Sequence, residues 1–394
     1  MRNTVYRWPT GDRTLPEAAD LDEATRRAIP RNFLVYICAH LLTKIGDALM
    51  NPKTTLTWVA GALSVPTWIT GLLVPVREAG SMLLQIFFAG GVRRARRRKW
   101  VWVAASAVEG LSVVAMGVVA LTLDGTAAGL ALLGLLSLFA LARSLASVAS
   151  KDVLGRTIPK ARRGRATGWA SSLAGIITIV AGTGFYLFSP EDLGQRGFAA
   201  LLAIAGSVWM AGAAVFALMR EPSAQGEDGG EALAGRFALL GRDKVLRRFV
   251  VTRALLLCSA LSAPYYVMIA QRELGNGSRL LIAFIVAGGL AAMLGSPVWG
   301  RMADRSSRRV MIIAAAASAT LGLAVAIAGW GASALLAHAW VLPLAYFALS
   351  VAHEGVRVGR KTYLVDIAEG GRRTDYVAVS NSAIGVVLLV FGAI

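Results

Sequence analysis

The sequence is poor in charge. Asp, Glu, Lys and Arg make up only 16% of its 394 residues, whereas a soluble domain averages about a quarter. Acidic residues are the scarcer group, with 23 against 41 Lys and Arg, which leaves a formal net charge of +18. Apolar residues reach 56%, and the mean hydropathy is +0.60. This balance excludes an ordinary soluble domain and indicates a polytopic membrane protein.

Several chemical signals are also missing. The two cysteines, Cys38 and Cys258, fall in different apolar runs, which excludes a disulfide framework. The first 30 residues mix Arg with Asp and Glu and lack an apolar core, so we do not expect a cleaved signal peptide. The sequence shows no metal-ligand cluster, nucleophile elbow or phosphate-binding loop. We therefore expect neither an enzyme nor a bound metal or cofactor.

Long apolar runs dominate the rest of the chain. Eleven of them approach the roughly 20 residues that an α-helix needs to cross a bilayer. Because lipid offers no partners to open backbone groups, we expect each run to be helical. The predicted spans are 33–59, 66–90, 100–122, 126–149, 168–188, 197–219, 249–270, 279–299, 310–330, 336–358 and 376–394.

Basic residues are distributed unevenly between the predicted loops. With a cytoplasmic N-terminus, the inner side carries 33 of the 41 Lys and Arg, counting Arg357 at the inner end of its span. The outer loops carry only Arg196, Arg272 and Arg279. The charge therefore indicates membrane topology and not nucleic acid binding. We expect a monomer in the plasma or inner membrane, with the lipid bilayer as its surroundings.

The chain repeats itself at a shift of 210 residues. Segments 151–182 and 361–392 share basic and glycine positions, and a shift of 212 aligns Pro52 with Pro264. Two parallel halves of about six helices are implied. We assign 1–32 to an N-terminal extension, 33–219 to the first half, 220–248 to a cytoplasmic linker and 249–394 to the second half. Residue 394 corresponds to residue 184, so we expect a twelfth helix to be missing from this chain.

The linker region has two parts. "REPSAQGEDGGEALAG" at 220–235 is polar and glycine-rich, which is typical of a flexible connection. The amphipathic segment that follows, 236–250, is either a helix lying on the inner membrane surface or the cytoplasmic start of the seventh span.

A short motif between the eighth and ninth spans carries a family resemblance. "GRMADRSSRRV" at 300–310 resembles the G-x-x-x-D-R-x-G-R-R signature of the major facilitator superfamily of secondary transporters. The matching positions are Gly300, Asp304, Arg305, Arg308 and Arg309. Ser307 stands where the family favours glycine, and the first-half copy, "GGVRRARRRKW" at 90–100, has Arg94 in place of the acidic residue. The resemblance implies an all-α fold of two six-helix halves.

The resemblance also implies a role for the motif. Asp304 with Arg305 would act as a latch that favours one facing state during transport. The alternative is that the arginines only enforce the topology of a short inner loop.

Charged side chains occur inside the predicted spans. A charge in the membrane is energetically costly, and such residues usually serve a function. In the first span His40, Lys44, Asp47 and Asn51 are spaced four, three and four residues apart, which places them on one helix face. Lys44 and Asp47 can neutralise each other near mid-bilayer, and Pro52 is expected to break the helix. A purely structural ion pair is the alternative.

The second span carries Arg77 and Glu78 near its centre. Adjacent residues point about 100° apart on a helix, so they cannot both face one partner. We expect one of them to meet Lys44 or Asp47 on the neighbouring helix. Functional and structural interpretations of this pair both stay open.

Arg143 in the fourth span and His353 in the tenth coincide under the 210-residue shift, and Glu354 follows His353. Arg143 resembles the intramembrane arginine that the family carries in its fourth helix. His353 is a candidate proton sensor, since an unperturbed histidine titrates near neutral pH; a plain hydrogen-bonded histidine is the alternative.

Three further charges receive structural interpretations. We expect Glu109 to bond to a neighbouring side chain. Lys53 and Arg253 lie close to span ends, and we expect both to extend toward the membrane surface.

Together these features predict a secondary transporter of a small solute that works by alternating access, with protons as the candidate coupling ion. The alternatives are a drug-type efflux antiporter of the same superfamily and a transport-dead receptor or scaffold. The antiporter signature of the fifth helix, G-x-x-x-G-P-x-x-G-G, does not occur in "GWASSLAGIITIVAGTGFY" at 168–186. No large soluble domain, which would favour a receptor, is present in the sequence.

Overall fold

The computed structural model describes residues 23–83, 85–188, 194–223, 240–331, 333–367 and 373–392, and within these ranges the chain is helical and contains no β-strand. The run Ser278–Gly331 leaves helical geometry at Ser306, so its two membrane segments are labelled separately. The helices are α1 (Glu23–Leu49), α2 (Thr55–Ala62), α3 (Thr67–Leu83), α4 (Gln85–Arg94), α5 (Arg98–Thr122), α6 (Gly125–Thr157), α7 (Lys160–Phe188), α8 (Gly194–Ala217), α9 (Lys244–Leu255), α10 (Cys258–Leu261), α11 (Ala263–Leu274), α12 (Ser278–Ala303), α13 (Arg305–Gly331), α14 (Ser333–Leu336), α15 (Val341–Ile367) and α16 (Arg373–Gly392).

Within the part of the chain that the structure describes, six helical segments are long and apolar enough to cross a membrane. They are α5, α6, α8, the run Lys244–Leu274 that joins α9 to α11, α12 and α13. Large apolar side chains such as Leu111, Ile204 and Ile312 are exposed on these segments, as contact with lipid requires. The chain is therefore a multi-pass membrane protein.

Two of the predicted spans are broken helices. The first span ends at Leu49 and resumes at Thr55, so the break falls around Pro52 as predicted. The Thr57 hydroxyl donates to the Pro52 carbonyl at 2.7 Å and secures the start of α2. The seventh span is divided into α9, α10 and α11, and Pro264 lies at the start of α11. The same break therefore recurs at the two positions that the internal repeat aligns.

The start of the seventh span favours one alternative. The Asp243 carboxylate caps α9 by accepting hydrogen bonds from the backbone N–H groups of Val245 and Leu246, at 2.8 and 3.0 Å. It also accepts one from the Tyr376 hydroxyl of α16. Because α9 leads into α10 and α11, and Lys244–Leu274 is apolar enough to cross a membrane, the structure favours the start of a span over a separate surface helix from 244 onward. Residues 224–239 of the linker region lie outside the described residues.

Helices that precede the linker pack mainly on one another, and so do those that follow it. α5 packs against α6 and α8, and α1 packs against α7 and α8, whereas the run formed by α12 and α13 packs against α15. The two groups meet along two seams, α3 against α16 and α7 against α12. α5 and α8 approach closely because their glycines face each other: a Cβ on Gly206 would lie 2.5 Å from the Gly110 carbonyl oxygen.

The apolar core differs between the two ends of the bundle. At the Trp58 end, which includes Val119 near the last turn of α5, one cluster joins both groups of helices through side chains such as Val267 and Phe284. At the Trp102 end, near the first turn of α5, the groups keep separate clusters, one around Trp102 and one around Trp299. A further cluster follows the seam between α3 and α16. The centre of the bundle is therefore closed by packing at the Trp58 end.

Arg253 does not extend toward the membrane surface, and that expectation is wrong. Arg253 is only 5% exposed, and its Nη1 donates to Ser380 Oγ at 2.7 Å and to Asn381 Oδ1 at 2.9 Å. Its Nη2 also lies 3.6 Å from Met82 Sδ of α3. Polar partners on α16 replace water around the guanidinium, so Arg253 ties α9 to α16 next to the seam with α3.

Candidate functional site

A cavity of about 440 Å³ lies between the two groups of helices. Its volume falls within the roughly 300–1,000 Å³ of small-molecule sites. Six of the eight residues predicted for transport line it; Glu78 and Arg143 do not. The polar residues of its wall are Lys44, Asp47, Asn51, Lys53, Thr54, Arg77, Ser171, Ser172, Thr178, Ser259, Tyr346, Ser350, His353, Glu354 and Arg357.

Asp47 binds two arginines. Its carboxylate accepts hydrogen bonds from Arg77 of α3 and from Arg143 of α6. Arg77 is therefore the member of the adjacent pair that meets Asp47, while Glu78 Oε1 lies 3.6 Å from Arg77 Nη1. Lys44 has no ion pair within 4.0 Å among the described residues. The sequence pattern suggested that Lys44 neutralises Asp47. The guanidinium groups of Arg77 and Arg143 do so instead, because they reach Asp47 from neighbouring helices with directed N–H donors.

Aromatic rings lie beside both arginines. Arg77 Cζ lies 5.9 Å from the centroid of the Phe139 ring, and Arg143 Cζ lies 5.8 Å from that of Trp209. The two rings pack edge to face at 5.1 Å. Gly46 permits this arrangement, since a Cβ at that position would lie 2.5 Å from Trp209 Cε3. The guanidinium groups are thus positioned by packing as well as by the Asp47 carboxylate.

A second carboxylate lies beside this pair. Glu109 of α5 is fully buried, with Oε2 at 3.8 Å from Arg143 Nη1. Neither carboxylate oxygen has a hydrogen-bond partner among the described residues. The expected bond to a neighbour is therefore at most a weak ion pair. Glu109 is a second position at which a proton can be held next to Asp47 and Arg143.

A side-chain contact between two helices occurs at equivalent positions of the two repeats. Ser259 aligns with Asp47 at a shift of 212, and His353 aligns with Arg143 at a shift of 210. Ser259 Oγ and His353 Nδ1 are hydrogen bonded at 3.0 Å. One repeat thus joins its helices by an ion pair and the other by a neutral hydrogen bond. The Asp47 network belongs to the first repeat, and the second repeat carries a separate ion pair between Arg357 and Glu354.

His40 shares a helix face with Lys44 but belongs to another contact. Its Nε2 lies 3.0 Å from Ser150 Oγ, and its ring packs on those of Tyr36 and Trp102, with centroids at 4.1 and 5.3 Å. It is not among the residues that line the cavity. His40 therefore contributes to packing at the Trp102 end.

Nine polar residues of the cavity wall were not predicted from the sequence, among them Lys53, Arg357 and Ser172. Lys53 was expected to extend toward the membrane surface, but it lies in the break after α1 and lines the cavity. Arg357 donates to the Glu354 carboxylate on the same helix; the predicted span placed it at an inner end, whereas α15 continues to Ile367. Ser172 carries no pattern signal, because serine on an apolar helix is common.

The family motif lies where α12 meets α13. Ser306 leaves helical geometry (φ −167°, ψ 102°), and its Oγ accepts a hydrogen bond from the Arg309 backbone N–H at 3.3 Å as the helix resumes. Arg305 and Arg308 are exposed. The side chain of Asp304 lies outside the described part of the structure, so its latch role stays a prediction.

At the equivalent turn of the first repeat, a carboxylate from a distant part of the chain lies where the local motif has no acidic residue. Glu221, which follows α8, accepts hydrogen bonds from the backbone N–H groups of Arg98 and Lys99 at the start of α5, at 3.1 and 2.8 Å. Burial raises the pKa of the Glu221 carboxyl, and the two N–H groups oppose that rise. The Arg98 side chain pairs with Asp152 of α6. A distant carboxylate therefore provides the negative charge that is absent at Arg94.

A bundle of apolar helices around a charged central cavity is the architecture of a membrane transporter. The sequence matches the Major Facilitator Superfamily over residues 33–393. The chain belongs to that superfamily of transporters. No curated protein matches the sequence.

Solved transporter structures share the fold. A D-xylose–proton symporter matches with a TM-score of 0.66 and 15% identity, covering 92% of this chain and 88% of that one. A bacterial homologue of the human lysosomal transporter Spinster, in an inward-facing unoccupied conformation, matches at 0.67 and 14%, covering 94% and 82%. A POT family transporter in complex with 5-aminolevulinic acid matches at 0.70 and 11%, covering 92% and 89%. At these identities the likeness concerns the fold alone.

Proposed function

We propose that this chain is a secondary active transporter that moves a small solute by alternating access between two halves, 33–219 and 249–394. One observation carries the proposal: the cavity lies between the two groups of helices and is lined by both, with Asp47 on one side and His353 on the other. A site shared by two packed bodies becomes accessible from either side when those bodies rock against each other.

The packing supports a particular facing state. At the Trp58 end Gln271 Nε2 of α11 donates to the Trp58 carbonyl of α2 at 2.9 Å, and the shared apolar cluster surrounds this contact. At the Trp102 end the central clusters are separate. The basic loops predicted to face the cytoplasm, including Arg98 and Arg305, belong to the Trp102 end. We assign the state as inward-facing.

The Asp47 network supplies a mechanism for proton coupling. Ionised Asp47 holds Arg77 and Arg143 against α1, so three helices are tied at one carboxylate. Protonation of Asp47 removes the negative charge between two guanidinium groups, which then repel each other and release α1. Glu109, whose Oε2 lies 3.8 Å from Arg143 Nη1, can then pair with the guanidinium that the neutral Asp47 no longer holds. Proton binding thereby changes the contacts between helices that line the cavity.

The motif between α12 and α13 completes the proposal. Arg305, Arg308 and Arg309 surround the break at Ser306, where the chain must turn between two spans. We propose that Asp304 pairs with these arginines or with a neighbouring helix start in one facing state only, which is the family's latch.

Uptake into proteoliposomes tests the proposal. The purified chain is reconstituted and supplied with labelled sugars, amino acids and organic acids, with and without an imposed pH gradient. Accumulation of at least one solute above its external concentration, only in the presence of the gradient, is the expected result. Binding without exchange of any solute would indicate a receptor instead. Expulsion of amphipathic dyes would indicate the drug-type antiporter.

A further inference from the structure

The cavity wall carries more positive than negative charge. Its cations are Lys44, Lys53, Arg77 and Arg357, and its carboxylates are Asp47 and Glu354. Both carboxylates are already paired, Asp47 with Arg77 and Arg143, and Glu354 with Arg357. Neither lysine has an ion pair within 4.0 Å among the described residues; at longer range Lys44 interacts with Asp47 and Glu354, and Lys53 interacts with Glu78.

Charges next to the wall do not reverse this balance. Glu78 and Glu109 lie outside the wall, and each has cations near it: Glu109 lies 3.8 Å from Arg143, and Glu78 lies 3.6 Å from Arg77 and interacts with Lys53 and with Arg360 of α15. With these neighbours included, the cluster holds six cations against four carboxylates, because Arg143 and Arg360 add as much positive charge as the two glutamates remove. An ammonium group in a low-dielectric bundle is costly when no counter-ion is in direct contact with it and its hydration is incomplete. Two such groups at one cavity with excess positive charge form a site for an anion that arrives from solution.

The two lysines line the same cavity from consecutive parts of the chain. Lys44 belongs to α1, and Lys53 belongs to the break after it, nine residues further on. Because the chain leaves helical geometry between Leu49 and Thr55, the two side chains are not held apart by the regular rise of a helix. Side-chain hydroxyls of Ser172 and Ser350 and the Asn51 amide also line the wall and can hydrogen bond to an anion's uncharged part.

We propose that the cavity binds a small organic anion, with its carboxylate or phosphate group held by Lys44 and Lys53. A lysine ammonium suits either group as a compact point charge with three donors. The inference rests on the proposed transport function for its biological meaning, but the binding itself does not depend on transport. An apolar or cationic solute would leave both ammonium groups without a counter-ion in direct contact.

Thermal unfolding of the intact purified chain in detergent tests the anion site. Two matched pairs of probes separate charge from shape: glucose 6-phosphate against glucose, and succinate against succinamide. Choline serves as the cation, and KCl keeps the ionic strength constant. A ligand that binds only the folded state raises the Tm as its concentration rises. We expect at least one of the two anions to raise the Tm, and its neutral partner and choline to leave it unchanged.

Variants of the two lysines test whether the Tm shift caused by an anion depends on Lys44 and Lys53. Lys44→Gln and Lys53→Gln should each raise the anion concentration needed for a half-maximal Tm shift at least tenfold, whereas Lys44→Arg and Lys53→Arg should retain most of the response. Lys244→Gln removes the same charge from an exposed position at the start of α9 and should change nothing. Should a glutamine variant fail to fold, the wild-type response still decides, because it should weaken as KCl is raised.

Other outcomes overturn the inference. Equal shifts by an anion and its neutral partner, no shift by either anion at millimolar concentration, or an unchanged anion response in the Lys44→Gln/Lys53→Gln double variant would each do so. The result is independent of transport: anion binding without exchange in proteoliposomes would preserve this site and refute the transporter. Gradient-driven uptake of a neutral solute without anion binding would do the reverse.

Discussion

Asp47 contacts charged side chains from other helices that its own sequence segment does not reveal. The carboxylate receives Arg77 and Arg143 from two different helices, and a second acid, Glu109, lies within 3.8 Å of Arg143. Neutralising one partner of such a cluster leaves the others uncompensated in low dielectric. In the proposed mechanism the charge state of Asp47 therefore controls whether α1, α3 and α6 are held together.

Replacement of Asp47 by asparagine should separate coupling from translocation. Asp47→Asn keeps the shape of the side chain and an acceptor for the arginines, but it can neither lose nor gain a proton. Gradient-driven accumulation should fall to background, while counterflow exchange stays partly intact. The measurement is uptake by proteoliposomes in both modes.

Asp124→Asn is the matched control, because Asp124 is exposed between α5 and α6. It should accumulate solute like the wild type. Full accumulation by Asp47→Asn would remove Asp47 from the coupling mechanism.

Arg253 should contribute to the thermal stability of the folded protein and not to proton coupling. Arg253→Met fills a similar volume but leaves Ser380 Oγ and Asn381 Oδ1 without their donor. Unpaired buried polar groups cost about 2 kcal/mol, so the Tm of the detergent-solubilised protein should fall by several degrees. Arg242→Met, at an exposed position before α9, should leave the Tm unchanged. An equal Tm for the two variants would show that the Arg253 contacts add nothing.

Sequence patterns located the charged residues better than their partners. Periodicity along one helix placed Lys44, Asp47 and Asn51 on a common face, and all three line the cavity. It could not show that Arg143 reaches Asp47 from a helix 96 residues away, because contacts between helices depend on how the helices cross. The same limitation hid the partners of Arg253, which lie on α16.

Helix breaks and close glycine contacts shape the bundle around these residues. Pro52 and Pro264 were visible in sequence as helix breakers at aligned positions, and both breaks are present. Glycine contacts were not foreseeable in the same way, since this chain contains 42 glycines. Only the packing shows that Gly110 and Gly206 face each other between α5 and α8.

Gly206 should tolerate no side chain. In Gly206→Leu the new Cβ would lie 2.5 Å from the Gly110 carbonyl oxygen and 2.6 Å from Val114 Cγ2, so α5 and α8 would have to separate. We expect a large loss of folded, monodisperse protein on size-exclusion chromatography. Gly134→Leu makes the same change on the exposed side of α6, where a Cβ meets no described atom within 4 Å, and should keep the wild-type yield. Equal yields from both variants would contradict the close contact.

For the molecule as a whole, the sequence predicted the architecture better than the facing state. Hydropathy predicted an all-helical polytopic bundle, and the motif at 300–310 carried the resemblance to this superfamily; the described helices and the family match confirm both. The individual span limits were less accurate: α15 continues past the predicted end at 358 to Ile367. Which end of the bundle is closed cannot be inferred from one sequence, because both facing states use the same helices and differ only in contacts such as that of Gln271 with Trp58.

Those contacts give the last prediction, that the Trp58 end must open during transport. A Cβ at Gly61 of α2 would lie 2.4 Å from Gln271 Oε1 of α11, so cysteines at these two positions are close enough for a disulfide once the side chains adjust. The pair Gly61→Cys/Gln271→Cys, in a background with Cys38→Ser and Cys258→Ser, should crosslink on mild oxidation. Uptake into proteoliposomes should then fall to background and return on reduction, while each single-cysteine variant transports under both conditions. A protease site inserted within residues 224–235 reports the crosslink, because the two cleaved fragments stay joined until reductant is added. Crosslinked protein that transports at the wild-type rate would show that this end stays closed throughout the cycle, and alternating access through it would be refuted.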